Sequence, residues 1–110
     1  FLCYNTFMTY KMFLDDERFP PNDGAEWLIA RSSQEAIDLV ETYGIPRFIS
    51  FDHDLGGDDT SRKFIIWLLD YMLDNDLSFA GREFDFYVHS QNPIGAQWIR
   101  GTMTGMITGI

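Results

Sequence analysis

Acidic and imidazole side chains follow three short apolar segments of this chain, at the point where each segment stops. The sequences read FLDD at 13–16, SFDHD at 50–54 and VHSQN at 88–92. Carboxylates supply the hard oxygen ligands that Mg²⁺ prefers, and imidazoles exchange protons near neutral pH. Side chains of these types at such positions are typical of a site that binds a cation or a phosphate and transfers protons.

The carboxylates Asp15, Asp16 and Asp52 are the candidate metal ligands. Carboxylates that share one site cannot all stay ionised without a cation or shared protons, and their hard oxygen atoms suit Mg²⁺. The histidines widen the choice of metal to Mn²⁺ or Zn²⁺, and we expect Mg²⁺ or Mn²⁺. His53 and His89, together with Asp52, are the candidate catalytic residues, because one imidazole could activate water while the other protonates the leaving oxygen of a phosphate ester.

Four further polar residues are candidates for binding the substrate: Arg18, Asp54, Ser90 and Asn92. Arg18 follows the first acidic pair, and its planar guanidinium matches a phosphate group. Asn92 precedes a proline and predicts the start of a helix, whose free backbone N–H groups attract anions. Structural explanations stay open for three of them, with Asp54 as a turn residue and Ser90 and Asn92 as turn and cap residues.

Short apolar segments alternate with helical patterns along most of the chain. The predicted strands are 11–14, 26–30, 47–51 and 84–89, and the predicted helices begin after Ser32, cover 61–74 and begin after Asn92. This alternation predicts an α/β fold with a mostly parallel sheet, in which the carboxyl ends of the strands meet at one edge. The first two strands are joined by about ten residues without a helical pattern, so either that crossover is a bare loop or the second strand is antiparallel.

Composition limits the classes of function. The chain has 110 residues, which suits a single domain, and we expect residues 1–9 to be an N-terminal extension. A net charge of −9 argues against binding to duplex DNA or to a membrane surface. The single cysteine, Cys3, fits a reducing compartment, and no apolar segment is long enough to span a membrane, so we expect a cytoplasmic protein.

Three motifs resemble the cyclic-phosphate processing receiver-like domain, a divergent relative of the response-regulator receiver domain found in bacteria and phages. They are FLDDERFPP at 13–21, SFDHDLGG at 50–57 and VHSQNPIGA at 88–96, in the order that the family has. The resemblance implies a receiver-like, flavodoxin-type three-layer sandwich with a four-stranded sheet in the order 2-1-3-4. It also implies a role in processing cyclic phosphates, in RNA end repair or nucleotide metabolism.

The resemblance further implies roles by position. In receivers, two acids after the first strand and one after the third hold Mg²⁺, which matches Asp15, Asp16 and Asp52, and Ser90 lies where receivers keep a Ser or Thr. The chain departs from receivers because the first helix and the fifth strand with its lysine are missing, while two histidines are added.

These departures favour hydrolysis over phosphorelay signalling. The sequence therefore predicts a phosphoesterase acting on cyclic phosphates of small nucleotides or RNA ends. The alternative is a non-catalytic receiver-like module that binds a nucleotide or a protein partner.

Overall fold

Four short strands form one sheet in which all neighbours run parallel, in the order β2-β1-β3-β4. The structure is a computed structural model that describes residues 7–109. The strands are β1 (Lys11–Leu14), β2 (Trp27–Ala30), β3 (Phe48–Phe51) and β4 (Asp85–Val88), and the helices are α1 (Ser33–Tyr43), α2 (Ser61–Asp74) and α3 (Pro93–Thr108). The predicted alternation of strands and helices is confirmed, and each observed strand lies within its predicted range.

Two of the helices begin at capping residues that the sequence marks. The Ser32 hydroxyl accepts a hydrogen bond from the Glu35 amide at 3.1 Å, and the Asn92 side chain accepts one from the Gly95 amide at 3.0 Å. Both bonds satisfy N–H groups that a helix start leaves without an intrahelical partner. The helices then bury apolar side chains at helical spacing, among them Ala36, Ile37, Val40, Phe64, Ile65, Leu68, Ala96, Ile99 and Met103.

Strand side chains alternate between two faces of the sheet, and the helices cover only one of them. The face packed against the helices carries the buried strand residues of the core: Met12, Leu14, Ala30, Ile49, Phe51 and Val88. We call it the helical face. The other face, which we call the open face, carries the alternate side chains Lys11, Phe13, Trp27, Phe48, Ser50 and Tyr87.

The handedness of the crossovers explains why the helices lie together. Connections between parallel strands are right-handed, so steps in one direction along the sheet place their helices on one face. The steps from β2 to β3 and from β3 to β4 share a direction, which places α1 and α2 on one face. Helix α3 follows the last strand, β4, and packs against α2. The step from β1 to β2 runs the opposite way, and its connection at 15–26 borders the open face through Phe19 and Pro21.

The α/β class, the parallel strand directions and the order 2-1-3-4 are confirmed. The expected three layers need one correction, because within residues 7–109 the helices form a layer on one side only. The outer side carries the connection 15–26, which contains no helix or strand. Of the two alternatives for this crossover, the structure shows the bare loop, and β2 is parallel.

The first residues that the structure describes, 7–9, contact the rest of the domain. Phe7 forms a parallel bridge with Ile45, and the Met8 amide donates to the Ile45 carbonyl at 2.7 Å. The expected extension at 1–9 therefore contacts the domain at 7–9, while its residues 1–6, with Cys3, lie outside the described part of the chain. Among the described residues, no helix combines the length and the apolar character that a membrane span requires.

Candidate functional site

The first residue after each of three strands lies in one row at the carboxyl edge of the sheet. The register pairs Leu14 with Phe51 and Phe51 with Val88, so the next residues, Asp15, Asp52 and His89, are neighbours. Their backbones continue the ladder, since the Asp52 amide donates to the Leu14 carbonyl and the His89 amide to the Phe51 carbonyl, both at 2.9 Å. Because side chains alternate, this row belongs to the open face.

A chain of hydrogen bonds joins Asp15, His89 and Ser50. His89 Nε2 lies 2.9 Å from Asp15 Oδ2, and His89 Nδ1 lies 2.8 Å from Ser50 Oγ. The imidazole also stacks on the Phe13 ring, with centroids 4.8 Å apart and an interplanar angle of 3°. Asp15 is completely buried, whereas the His89 side chain keeps 14% of its surface exposed. We call Asp15, His89 and Ser50 the triad.

Arg18 completes this cluster by bridging two carboxylates. Its Nε lies 3.0 Å from Asp15 Oδ2, and its Nη2 lies 3.2 Å from Asp52 Oδ2. The turn that returns Arg18 to the site is held by Asp15 itself, whose Oδ1 accepts the Glu17 and Arg18 amides at 2.9 Å each. Arg31 donates from Nη1 to the backbone carbonyls of Asp15 and Arg18 and fixes the same turn.

The environment of Asp15 keeps its carboxyl group ionised. Burial alone would raise the pKa of Asp15, but hydrogen bonds from the Arg18 and Glu17 amides, the bond with His89 and the Arg18 charge outweigh burial and lower this pKa below its ordinary value. An ionised carboxylate only accepts hydrogen bonds, so Nε2 of His89 carries the proton in this contact. In the neutral imidazole, Nδ1 is then the acceptor, and it faces the Ser50 hydroxyl.

Asp15, Asp52 and His89 are also the residues that could hold a metal ion. Each offers one ligand atom, and the three atoms lie within 4.8 Å of one another. The Arg18 guanidinium, however, contacts both carboxylates and already supplies positive charge between them. The donor set therefore fits a divalent cation only when Arg18 withdraws from these oxygens and the His89 proton leaves Nε2, because a metal binds an unprotonated ring nitrogen.

Removal of Arg18 is expected to convert the cluster into a better metal site. We expect Arg18→Ala to bind Mn²⁺ at least about tenfold more tightly than the unchanged protein, because two neighbouring carboxylates lose their cationic partner. Titration with Mn²⁺, followed by the electron paramagnetic resonance of the free ion, measures this. Arg100→Ala removes the same charge from an exposed position of α3 and is the control. An equal gain in both variants would mean that net charge alone governs Mn²⁺ binding.

His53 lies elsewhere, on the helical face. Its Nε2 accepts a hydrogen bond from Arg62 Nε of α2 at 2.9 Å, and its Nδ1 lies 3.0 Å from Asp54 Oδ1. The ring packs against Gly95 of α3, so closely that no side chain fits at that glycine. The sequence-based expectation that both imidazoles share one pocket needs correction, because the partners of His53 and those of His89 lie on opposite faces of the sheet.

The remaining predicted site residues belong neither to the triad nor to its contacts with Arg18. They are Asp16, Asp54, Ser90 and Asn92. Asp16 is exposed and faces the turn at Gly56. Asp54 is exposed, and its pKa is lowered by hydrogen bonds, the largest effect coming from His53 and the next from Asn92.

Ser90 and Asn92 shape the start of α3. The Ser90 hydroxyl accepts the Asn92 amide at 3.0 Å, while Asn92 caps α3 and donates to Asp54 Oδ2 at 3.2 Å. Both residues thus make the turn and cap contacts that the sequence left open as their alternative explanation.

Sequence reasoning missed Ser50 and Phe13 as members of the site. A signal for Ser50 was present, because it is the single polar residue in the strand segment FISF and lies two positions before Asp52. Residues two apart in a strand share a face, so Ser50 had to point to the same side as Asp52. Phe13 likewise lies two positions before Asp15, and its ring stacks on the His89 imidazole.

The comparison with family models identifies the chain. No curated protein and no solved structure is significantly similar to it. The model of the cyclic-phosphate processing receiver domain matches residues 10–105, which include all four strands and most of α3. The chain therefore belongs to the family of cyclic-phosphate processing receiver domains.

Proposed function

We propose that the protein is a phosphoesterase that opens cyclic phosphates on small nucleotides or RNA ends. The observation that carries this proposal is the triad, in which a hydroxyl, an imidazole and an ionised carboxylate follow one another at hydrogen-bond distance. A nucleophile beside a base that is held by a third group is the arrangement that activates serine in hydrolases. In those hydrolases Nε2 faces the serine and Nδ1 the carboxylate, whereas here Nε2 faces Asp15 and Nδ1 faces Ser50.

The proposed reaction has two steps. Ser50 Oγ attacks the phosphorus of the cyclic phosphate while His89 Nδ1 takes the hydroxyl proton. One of the two ring P–O bonds breaks, and the imidazolium returns the proton to the departing ribose oxygen. Water, deprotonated by His89, then displaces Ser50 Oγ from the phosphorus and leaves a phosphate monoester, and the proton returns to the serine.

Three further features support this proposal. Arg18 keeps 44% of its side chain exposed beside the triad, so its guanidinium is accessible to a phosphate oxygen. Asp15 holds the imidazole by a hydrogen bond and favours the imidazolium that forms during proton transfer. The net charge of −9 favours a small nucleotide or a single RNA terminus over a long nucleic acid.

A divalent cation held by Asp15, Asp52 and His89 would take the place of the Arg18 guanidinium, since both contact the same carboxylates. Such an ion would polarise a phosphate oxygen. An involvement in RNA end repair follows from the same chemistry, since cleaved RNA carries cyclic phosphates.

We expect the protein to convert a 2′,3′-cyclic mononucleotide to a monoester. Ser50→Ala is expected to lower the rate at least about 10²-fold, because the reaction loses its nucleophile. Chromatography of the products measures the rate, and the intact mass of the protein after rapid acid quenching detects a nucleotide bound to Ser50. Ser78→Ala is the matched control, since the Ser78 hydroxyl accepts the Ala80 amide at 3.0 Å in the loop after α2, away from the triad.

The possible outcomes separate mechanism from function. Turnover by Ser50→Ala at the original rate would contradict the serine nucleophile and leave the phosphoesterase assignment intact. Binding of cyclic nucleotides without any turnover would favour the non-catalytic alternative.

A further inference from the structure

The open face of the sheet forms a concavity beside the triad. We call it the aromatic groove, and its floor consists of Lys11, Phe13, Trp27, Phe48, Ser50 and Tyr87. Its volume is about 370 Å³, which lies in the range of small-molecule sites. Phe19 and Pro21 of the loop 15–26 also line it, and so does His89, which with Ser50 belongs to the triad.

Three rings of the groove hold one another in position, and two further rings are exposed. The Trp27 ring meets Phe13 and Phe48 edge to face, with centroids 5.9 Å apart in both pairs. Tyr87 is 61% exposed and Phe19 is 75% exposed. Accessible aromatic side chains that gather on one face indicate a binding surface rather than a core.

The charge of the groove differs from that of the whole chain. Lys11 and Arg18 line it together with one carboxylate, Asp23, whereas the chain carries a net charge of −9. The Lys11 ammonium lies 5.2 Å from the centroids of both Trp27 and Phe48 and 3.7 Å from Asp23. Both cations also contact carboxylates, Lys11 that of Asp23 and Arg18 those of Asp15 and Asp52. Arg18 nevertheless keeps 44% of its side chain exposed, so the groove offers aromatic surfaces beside a guanidinium that is accessible to an anionic ligand.

We infer that the aromatic groove binds the base of a nucleotide and directs its phosphate towards Arg18 and Ser50. Stacking of a base on aromatic side chains tolerates any base, because every base has a π face. A free phosphate or a sugar phosphate would use the cations and leave the rings in water. The position of the phosphate rests on the proposed function, whereas the stacking of the base does not.

Trp27 provides a direct report on binding. Its indole N–H donates to Asp23 Oδ1 at 3.0 Å inside the groove, while Trp67 and Trp98 contact helix residues on the helical face. We expect titration of the intact protein with 3′-AMP to shift the indole N–H resonance of Trp27 and to leave those of Trp67 and Trp98 nearly unchanged. Ribose 3-phosphate, which lacks the base, is expected to bind at least about tenfold more weakly.

A pair of tyrosines tests the stacking. Tyr87→Ala is expected to weaken the binding of 3′-AMP about tenfold and to leave the binding of ribose 3-phosphate unchanged, because only the base contacts the ring. Tyr43→Ala is the matched control, since Tyr43 is also an exposed tyrosine but ends α1, outside the groove. Equal affinity for the two probes would overturn the inference, as would resonance shifts confined to the helical face or the absence of binding by 3′-AMP.

The failure of this inference is distinguishable from that of the proposed function. If the groove binds no base but the triad is active, ribose 2,3-cyclic phosphate is hydrolysed with the same kcat/KM as 2′,3′-cyclic AMP, which overturns the groove alone. If the triad is inactive but the groove binds a base, 3′-AMP binds more tightly than ribose 3-phosphate while no cyclic phosphate is hydrolysed, which supports the groove.

Discussion

His89→Gln is expected to slow the hydrolysis of a cyclic phosphate about 10²–10⁴-fold, whereas His53→Gln retains most of the rate. The two histidines have different surroundings. His89 joins Ser50 to the ionised Asp15 on the open face, so its loss removes the proton acceptor of the reaction. His53 accepts from Arg62 and contacts no member of the triad within the described interactions. Steady-state rates with a 2′,3′-cyclic mononucleotide measure the difference.

Glutamine suits this comparison because it retains hydrogen-bonding groups at both positions without transferring protons at neutral pH. Thermal unfolding of both variants is the control, so that a loss of folded protein is not counted as a loss of catalysis. Equal losses of rate in the two folded variants would support the sequence-based hypothesis of two cooperating imidazoles. Full activity in His89→Gln would exclude the triad from catalysis.

Three residues of the site share one position in the sequence, directly after a strand. The residues directly after the last paired position of β1, β3 and β4 are Asp15, Asp52 and His89, and these meet on the open face. The next residues along the chain, Asp16 and His53 among them, point elsewhere. Both histidines follow strand ends, but His89 directly follows β4 whereas His53 lies one residue further past β3, so their side chains lie on opposite faces of the sheet.

The role of Arg18 could not be derived from sequence alone. Its side chain returns to the carboxylates because Asp15 Oδ1 accepts two amides of the following turn and Arg31 holds the turn from outside. These contacts link the turn at 15–18 to Arg31, which follows β2. A sequence pattern predicts that an arginine is near the acids, but not whether it binds them or faces the solvent.

The missing helix between β1 and β2 connects the fold with the proposed function. The strand order and the alternation were predictable because short apolar segments and helical spacing are local signals. A loop such as 15–26 covers less of a sheet than a helix does, so the second face of this sheet stays partly uncovered. The aromatic groove on the open face, which Ser50 and His89 line, is therefore accessible to a ligand.

Gly95→Ala is expected to lower the free energy of unfolding by about 1–3 kcal/mol. A Cβ at this position would lie 2.7 Å or less from three ring atoms of His53. Real Cβ atoms do not approach other atoms so closely, so either the imidazole or the start of α3 must move. The ring is held by Arg62 and Asp54, and it cannot rotate away without losing these hydrogen bonds. Urea unfolding measures the change.

Gly101→Ala on the same helix is the matched control, because its added Cβ meets no atom within 4 Å. Alanine forms helices better than glycine, so this variant is expected to gain up to about 1 kcal/mol. The double variant His53→Ala with Gly95→Ala tests the cause, since removal of the ring makes room for the Cβ and is expected to abolish the cost of the alanine. If Gly95→Ala were as harmless as Gly101→Ala, His53 would not be the packing residue beneath α3. A persistent cost in the double variant would place the strain in the helix start, where Gly95 donates to Asn92.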